Sequence, residues 1–304
     1  MTDKRVLLVG LACLDIVSVH DHYPIEDTDS RSIKQLFNRG GNAGNTSVVA
    51  SQLGGPVEYL GTIASHVFSE IIKKDFQQYN VKFENCRFHE NCETPTSCVI
   101  INATNGTRTI CHGNNSLPEL SVDDFSKLNL SKYSWIHFEG RNITSVLEMI
   151  TIIENFNLNS TDHIRISIEL EKPKAKDIDK LLPLGHVVFI SKDYAMGRGY
   201  TTSESALSGL NGKLRSGALL ICAWGDKGAW GRNADGAIFH APAFSPEKVV
   251  DTLGAGDTFN GGVIWALNQG QDLSEALNIG CEIAGRKCGI YGFSGVADKI
   301  NCLK

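Results

Sequence analysis

The amino-acid sequence predicts an α/β fold with a mostly parallel central sheet. Strand-like and helical segments alternate along the 304 residues, which is the order expected for βαβ units. The first strand, Val6-Leu7-Leu8-Val9-Gly10, is apolar throughout, as expected for a strand covered by helices on both faces. Two stretches, about 16–37 and 83–111, break the alternation and contain short strands and turns. We expect these two stretches to form a small antiparallel sheet that projects from the α/β body.

The other elements continue the same alternation. A helix is predicted over 42–53, where Gly54-Gly55 stops it, and apolar residues at helical spacing predict another over 68–79. Within the small sheet, Asn105-Gly106 indicates a hairpin. Further strands are predicted at 57–63, 82–83, 98–101, 107–111, 135–140, 164–170, 187–190 and 219–224, and the last two helices begin near Thr258 and Ser274.

Composition and charge narrow the class of protein. The net charge of −5 argues against nucleic acid or an anionic membrane as a partner. No apolar stretch approaches the roughly 20 residues of a membrane helix. Nine cysteines without a Cys-x-x-Cys pair fit reduced thiols, so we expect a cytoplasmic protein. We expect one domain over 1–304, with about 12–38 and 83–115 as a lid and dimerisation subdomain; two ordinary surface loops are the alternative.

A glycine-rich motif near the C-terminus carries the strongest chemical signal. Gly254-Ala255-Gly256 leads into Asp257 at the start of a predicted helix. Backbone N–H groups at a helix N-terminus can bind a phosphate, and the carboxylate beside them can take a proton from a hydroxyl. The alternative is a turn in which Asp257 only caps the helix. A Rossmann motif is excluded because Phe259 stands where its third glycine belongs, and the P-loop's Gly-Lys-Ser/Thr is missing.

A second glycine motif, Arg39-Gly40-Gly41-Asn42-Ala43-Gly44-Asn45, opens the predicted helix at 42–53. Asn42 and Asn45 are three residues apart and project toward one helix face, where their amides can bind sugar hydroxyls. Asp15 lies just beyond the first strand, at the edge of a parallel sheet where ligands bind. These residues predict a sugar site.

The two glycine motifs resemble both signatures of the ribokinase/PfkB family of sugar kinases. Blocks such as Glu139-Gly140-Arg141-Asn142 and the run from Val249 to Asp257 resemble the family members that phosphorylate fructose, and the likeness extends over about 4–297. The resemblance implies a three-layer ribokinase-like fold with a projecting antiparallel β-sheet lid, or β-clasp. It also implies transfer of the γ-phosphoryl group of MgATP to the 1-hydroxyl of D-fructose, which gives fructose 1-phosphate and ADP.

The same resemblance assigns roles to single residues. It makes Asp257 the general base and Gly254, Ala255 and Gly256 the anion hole, which also contacts ATP. The sugar contacts that it implies are Asp15, Gly41, Asn42, Asn45, Glu139, Arg141, Lys192 and Asp257, with Asp27 supplied by the partner subunit. The ATP contacts that it implies are Arg108, Gly225, Asp226, Lys227, Gly228, Cys281 and Ala284.

The implied cofactors are ATP and Mg²⁺, together with a monovalent cation such as K⁺, and the implied assembly is a homodimer through the lid. Ser191-Lys192-Asp193-Tyr194 replaces the Asn-x-x-Glu run that many family members link to magnesium, so no metal ligand is assigned. The segments 112–115 and 225–227 also depart from the fructose-kinase pattern. Two alternatives stay open: another sugar or nucleoside kinase of the family, and a catalytically silent sugar-binding protein on the same scaffold.

Overall fold

The computed structural model describes residues 4–298. The strands are β1 (Arg5–Val9), β2 (Cys13–His20), β3 (Lys34–Gly40), β4 (Val57–Leu60), β5 (Thr62–Ala64), β6 (Arg87–His89), β7 (Thr96–Asn102), β8 (Arg108–Gly113), β9 (Tyr133–Glu139), β10 (Arg165–Leu170), β11 (Val187–Ser191), β12 (Leu219–Ala223), β13 (Ala229–Arg232) and β14 (Ile238–Ala241). The helices are α1 (Asn42–Gln52), α2 (Ser69–Gln78), α3 (Val122–Ser126), α4 (Ile143–Leu158), α5 (Lys192–Gly197), α6 (Ser203–Leu210), α7 (Ala255–Asn268) and α8 (Leu273–Cys288).

The main sheet has eight strands in the order β14-β13-β12-β11-β10-β9-β1-β4. All neighbours from β12 to β4 pair in parallel, and only the pairs β12–β13 and β13–β14 are antiparallel. The chain moves from β1 outward to β4 and then returns to β9 on the other side of β1. The order of the strands therefore reverses between β1 and β9, where a crevice opens at the carboxyl edge of a doubly wound sheet.

Helices cover both faces of the main sheet. Because successive side chains on a strand point to opposite faces, Val6 and Leu8 join one apolar core while Leu7 and Val9 join the other. The first core contains residues of α1, α2, α7 and α8, and the second contains residues of α3, α4, α5 and α6. This arrangement confirms the predicted three-layer α/β fold.

A separate four-stranded sheet is present, in the order β3-β2-β7-β8. The prediction that it is antiparallel is wrong for its central pair, because β2 and β7 are parallel while the two outer pairs are antiparallel. Each outer pair is joined locally, but β2 and β7 are separated by α1 and α2, and such a long crossover permits parallel pairing. One face buries Val17, Val19, Val99 and Ile101 against Leu253 and Tyr291.

Two smaller predictions need correction. The strand predicted over 57–63 is two strands, since β4 ends at Leu60 and β5 pairs with β6 instead of with the main sheet. The segment 82–83 is outside the small sheet: Lys82 forms an isolated bridge to Glu58 of β4. Between residues 4 and 298, no helix combines the length and apolarity needed to cross a membrane.

Candidate active site

Most of the predicted site residues lie at the carboxyl edge of the main sheet. Glu139 ends β9, Lys192 follows β11, and Gly225 follows β12. β2 starts three residues after Gly10, so the small sheet leaves the body at this same edge. Both glycine motifs lie at this edge too, because Asn42 of α1 and Asn260 of α7 donate to Glu169 near the end of β10. This is the edge where ligands bind in parallel α/β sheets.

Asp257 lies buried in the first turn of α7. The residue before the helix, Gly254, has φ 74°, and a Cβ there would lie 2.4 Å from Cζ of Phe293, so glycine is required at this position. The first intrahelical bond runs from the Thr258 N–H to the Gly254 carbonyl, and the Ala255 N–H donates to Thr252. The Gly256 and Asp257 N–H groups belong to the helix start, where no carbonyl of the helix precedes them.

A hydrogen-bonded chain holds the Asp257 carboxylate. The Asn45 side-chain amide donates to Oδ2 of Asp257 over 2.6 Å, and its oxygen accepts from Arg39. Arg39 in turn donates from Nε to Asp75. This chain is possible because α1 and α7 approach closely: a Cβ on Gly261 would lie 2.9 Å from Cβ of Val49. Arg39 thus fixes the orientation of the Asn45 amide.

The electrostatic surroundings set Asp257 apart from an ordinary helix cap. Burial raises the pKa of Asp257 to about 7, the hydrogen bond from Asn45 opposes this rise, and the carboxylates of Glu171 and Glu139 add to it. Burial also raises the pKa of Glu169 well above its usual range, and the nearby Asp257 carboxylate raises it further. The two carboxyl groups therefore resist being ionised together.

Asp15 and the Gly40-Gly41 step form one side of the site. Asp15 of β2 is buried, and burial raises its pKa. Its partner across the strands is Asn38, and its carboxyl group lies against Gly40, where a Cβ would come within 2.3 Å of either carboxylate oxygen. Gly41 has φ 89°, and a Cβ on this residue would lie 2.3 Å from the Leu11 carbonyl oxygen. Gly40 therefore allows Asp15 to stay close to the start of α1, and Gly41 allows the chain to pass close to the Leu11 main chain.

Asn42 and Asn45 project into the same region but have different partners. The Asn42 amide donates to Glu169 (3.1 Å) and to Glu171 (2.9 Å) at the end of β10. Asn260 of α7 donates to the other oxygen of Glu169. Glu169 and Glu171 were not predicted as site residues, although their position at the end of a predicted parallel strand was a usable signal.

Glu139 and Arg141 lie at the switch point between β1 and β9. The Leu11 N–H donates to Oε2 of Glu139 over 2.8 Å, and Arg141 makes an ion pair with Glu139 at 3.5 Å. Arg141 also holds Glu119. A cleft opens beside these residues and is lined in part by Gly10 and Asn114. Lys192 is exposed at the start of α5, with Nζ 5.8 Å from the centre of the Trp224 ring.

The predicted ATP residues form a second group. Gly225, Asp226 and Lys227 make an exposed 3-10 turn between β12 and β13, and Gly228 has φ 89°. A Cβ on Gly228 would lie 2.1 Å from the Ala241 carbonyl, so only glycine fits. Cys281 and Ala284 on α8 pack in the apolar core shared with β13 and β14. The turn and α8 therefore lie on neighbouring elements.

Arg108 and Asp27 are placed very differently by the small sheet. Arg108 begins β8 and donates from Nη1 to Oγ1 of Thr252 over 3.1 Å, which brings it to the loop before α7. Asp27 is exposed in the segment between β2 and β3, beyond the end of β2 that is farther from Asp15. The span from Asp15 to His20 alone is roughly 17 Å at the usual rise per residue. Among residues 4–298, no hydrogen bond or ion pair joins Asp27 to the predicted site residues of its own chain.

The loop before α7 contains a buried ion pair that the sequence analysis missed. Nζ of Lys287 lies 2.6 Å from Oδ2 of Asp251, and both residues are buried. In the sequence, Lys287 resembles any base in the last turn of a helix, where it would offset the helix dipole. Nothing in the neighbouring sequence indicates that Lys287 is buried in an ion pair.

Comparison with known proteins decides the family. The sequence model of the family described as "pfkB family carbohydrate kinase" matches residues 3–295 of the chain. The chain belongs to the pfkB family of carbohydrate kinases. It is 43% identical over 298 residues to the ketohexokinase of Mus musculus, a match that covers 97% of this chain and 100% of the mouse protein. The resemblance found in the sequence is confirmed, and this pfkB protein is a sugar kinase, a transferase.

Solved structures agree on the fold of this pfkB kinase. A ribokinase from Giardia lamblia superimposes with a TM-score of 0.83 at 15% identity, covering 97% of this chain and 96% of that one. A ribokinase from Cryptococcus neoformans in complex with ADP gives 0.77 at 19% identity, covering 99% and 98%. Kinases of this family use ATP, usually with Mg²⁺.

Proposed function

We propose that this kinase transfers the γ-phosphoryl group of ATP to the 1-hydroxyl of D-fructose, giving fructose 1-phosphate and ADP. The observation that carries the proposal is the Asp257 carboxylate, held by Asn45 beside the N-terminal donors of α7. The 43% identity to a mouse ketohexokinase supports fructose as the acceptor. The alternative acceptors are ribose, adenosine and ketoses other than fructose, which tagatose represents in the assay.

In this proposal Asp257 takes the proton of the 1-hydroxyl. A pKa of about 7 suits a general base at neutral pH, because about half of the carboxyl groups are then ionised and the carboxylate is still basic enough to accept a proton. The predicted anion hole of Gly254, Ala255 and Gly256 is revised here, because the Ala255 N–H donates to the Thr252 carbonyl. The Gly256 and Asp257 N–H groups, with the positive end of the α7 dipole, stabilise negative charge on the transferred phosphoryl group. Asn45 keeps the carboxylate aimed at the hydroxyl. Phosphoryl transfer needs this positioning more than covalent chemistry.

The sugar lies, in this proposal, between the start of α1 and the small sheet. Asp15 accepts hydrogen bonds from two hydroxyls. Gly41, where a Cβ would collide with the Leu11 carbonyl, contacts the sugar through its main chain. Asn42 reaches the same space from one turn of α1 while it binds Glu169 and Glu171. Glu139, Arg141 and Lys192 form the outer wall.

The nucleotide lies on the opposite side of Asp257. A Cβ on Gly256 would meet no atom within 4 Å, so the space before α7 can accept a phosphate. Arg108 reaches Thr252 beside it and can balance phosphate charge. The turn 225–228 and the α8 residues Cys281 and Ala284 would contact the rest of ATP. Among residues 4–298 no cluster of three or more acidic, histidine or cysteine side chains could hold a metal, so Mg²⁺ would be bound chiefly by the phosphates of ATP and by water.

We also propose a cytoplasmic homodimer in which the lid of one subunit presents Asp27 to the partner's sugar. The outward face of the small sheet carries a row formed by Phe37, Ile16, Cys98 and Cys111, which face each other across the four strands. Phe37 is 51% exposed, and covering this row would also protect the sheet. A shared site would give the exposed Asp27 a ligand to contact in the partner subunit.

A coupled assay for ADP release tests the acceptor. We expect the highest kcat/KM with D-fructose among fructose, tagatose, ribose and adenosine at saturating MgATP. Asp257→Asn should lower kcat by about 10²-fold or more while the KM for fructose changes little, because the base acts in the chemical step. A better acceptor among the other three would contradict fructose. Tight fructose binding without ADP release would point to a silent sugar-binding protein.

A further inference from the structure

Lys287 makes its contacts in the loop that leads into α7. Its side chain is 0% exposed, and Nζ donates to Oδ2 of Asp251 (2.6 Å) and to the carbonyl oxygen of the same residue (2.9 Å). Asp251 opens the loop that ends at Gly254, immediately before α7. One ammonium group therefore binds both the side chain and the main chain of the residue that starts this loop.

Further hydrogen bonds connect Asp251 to the loop before α7 and to the end of α8. The second oxygen of Asp251 accepts from the Leu253 N–H over 2.8 Å, and the Val250 N–H donates to the Cys288 carbonyl over 2.7 Å. The loop is thus attached to the last turn of α8 at Val250 and at Asp251, and Asp251 in turn holds Leu253. Any movement of the Asp251 carboxylate would pass directly to Leu253 and Gly254.

An aromatic ring links Lys287 to the chain that holds the base. Nζ of Lys287 lies 5.5 Å from the centre of the Phe293 ring, and the guanidinium carbon of Arg39 lies 5.2 Å from the same centre. The edge of this ring lies against Gly254. Two buried cations therefore contact one ring at the start of α7, and the second of them orients Asn45 toward Asp257.

We propose that Lys287 is a positioning residue for phosphoryl transfer: through Asp251 it holds the loop 251–254 so that the α7 donors meet the ATP phosphates. This inference rests on the proposed function of α7 as the phosphate site. Stability alone does not account for the pair, because a buried ion pair often stabilises a fold no better than an apolar pair of similar size. The ammonium supplies two directed bonds to one residue, which an apolar side chain cannot supply.

The test compares the wild type with Lys287→Met and with the double variant Asp251→Asn/Lys287→Met. The single variant leaves the Asp251 carboxylate buried without its cation, whereas the double variant removes both charges and avoids that cost in folding. ADP affinity is measured by calorimetry without sugar, and kcat and both KM values are measured with MgATP and fructose. Each variant is compared with the wild type in ammonium chloride and in tetramethylammonium chloride at equal ionic strength.

We expect both variants to bind ADP about tenfold or more weakly, to raise the KM for ATP and to lower kcat, while the KM for fructose changes less than about threefold. Ammonium should restore the single variant alone, because only that variant keeps a carboxylate beside the vacated space. Wild-type ADP affinity and turnover in the double variant, or no specific response to ammonium in the single variant, would overturn the proposal. A wild type that does not phosphorylate fructose would contradict the proposed acceptor instead, since ADP binding is measured without it.

Discussion

At Asp257, burial and a hydrogen bond act on one carboxylate in opposite directions. Burial favours the protonated form and the Asn45 amide favours the ionised form, and the balance leaves a pKa of about 7. A base with this pKa loses its proton-accepting form as the pH falls below 7. The proposed role of Asp257 as general base therefore predicts how the rate of phosphorylation depends on pH.

We expect kcat/KM for the sugar acceptor to fall about tenfold per pH unit below an acidic limb near 7, because that ratio reports the free enzyme. Asn45→Ala removes the bond that lowers the pKa of Asp257, so the limb should move to higher pH. Rates at fixed ionic strength from pH 5.5 to 9 measure the shift.

Thr46→Val is the matched control, because Thr46 donates to the backbone carbonyl of Asp257 and not to its carboxylate. Its limb should stay where the wild type has it. An Asn45→Ala limb that moved to lower pH would mean that another group titrates in this range.

At the scale of elements, the start of α7 depends on two glycines with different roles. Gly254 has a positive φ and lies against Phe293, whereas Gly256 has ordinary helical geometry and faces open space. The first glycine is a requirement of the fold and the second a requirement of ligand approach. The sequence predicted both glycines as parts of one anion hole. Their different roles could not be predicted, because Phe293 is distant from Gly254 in the sequence.

Alanine at these two positions should separate stability from activity. Gly254→Ala should lower the free energy of unfolding by about 1–3 kcal/mol, through left-handed strain and the contact with Phe293. Gly256→Ala should leave that free energy unchanged or raise it by up to about 1 kcal/mol, since alanine favours a helix. It should nevertheless lower kcat/KM for ATP about tenfold, because its methyl group enters the proposed phosphate space.

Urea unfolding and ATP-dependence curves of both variants measure these effects. Wild-type kinetics in Gly256→Ala would show that the ATP phosphates do not bind at this turn. Loss of stability in Gly256→Ala would show that the space beside it is filled by protein.

At the scale of the whole molecule, the six parallel strands of the main sheet could be predicted because they are short apolar runs separated by helices, whereas β13 and β14 were not predicted. The pairing of β2 with β7 could not, because strands so far apart in sequence pair by tertiary contact and not by a local turn. The same reason hid the Lys287–Asp251 pair and the two carboxylates Glu169 and Glu171 that Asn42 binds. The residues of the glycine motifs were predictable because their spacing is local.

The shared site can be tested by mixing two inactive proteins. Asp27→Asn should impair every site through the partner's lid, and Asp257→Asn should remove every base. If subunits exchange at random, about half of the dimers are mixed and each has one intact site, so activity should recover to about a quarter of the wild type. Assays after co-refolding, beside each variant refolded alone, measure the recovery.

No recovery from an impaired Asp27→Asn protein would place Asp27 in the site of its own chain. Full activity of Asp27→Asn alone would give Asp27 no part in catalysis. Sedimentation of the wild type and of Phe37→Asp would show whether the outward row of the small sheet joins the subunits.

The most direct test of the account is the position of the new phosphate after incubation with MgATP and D-fructose. Carbon and phosphorus NMR of the product should show phosphate coupled to C1, with one ADP formed for each fructose 1-phosphate. Phosphate on any other hydroxyl, or no phosphorylated fructose at all, would contradict the assignment of Asp257 as the base for the 1-hydroxyl.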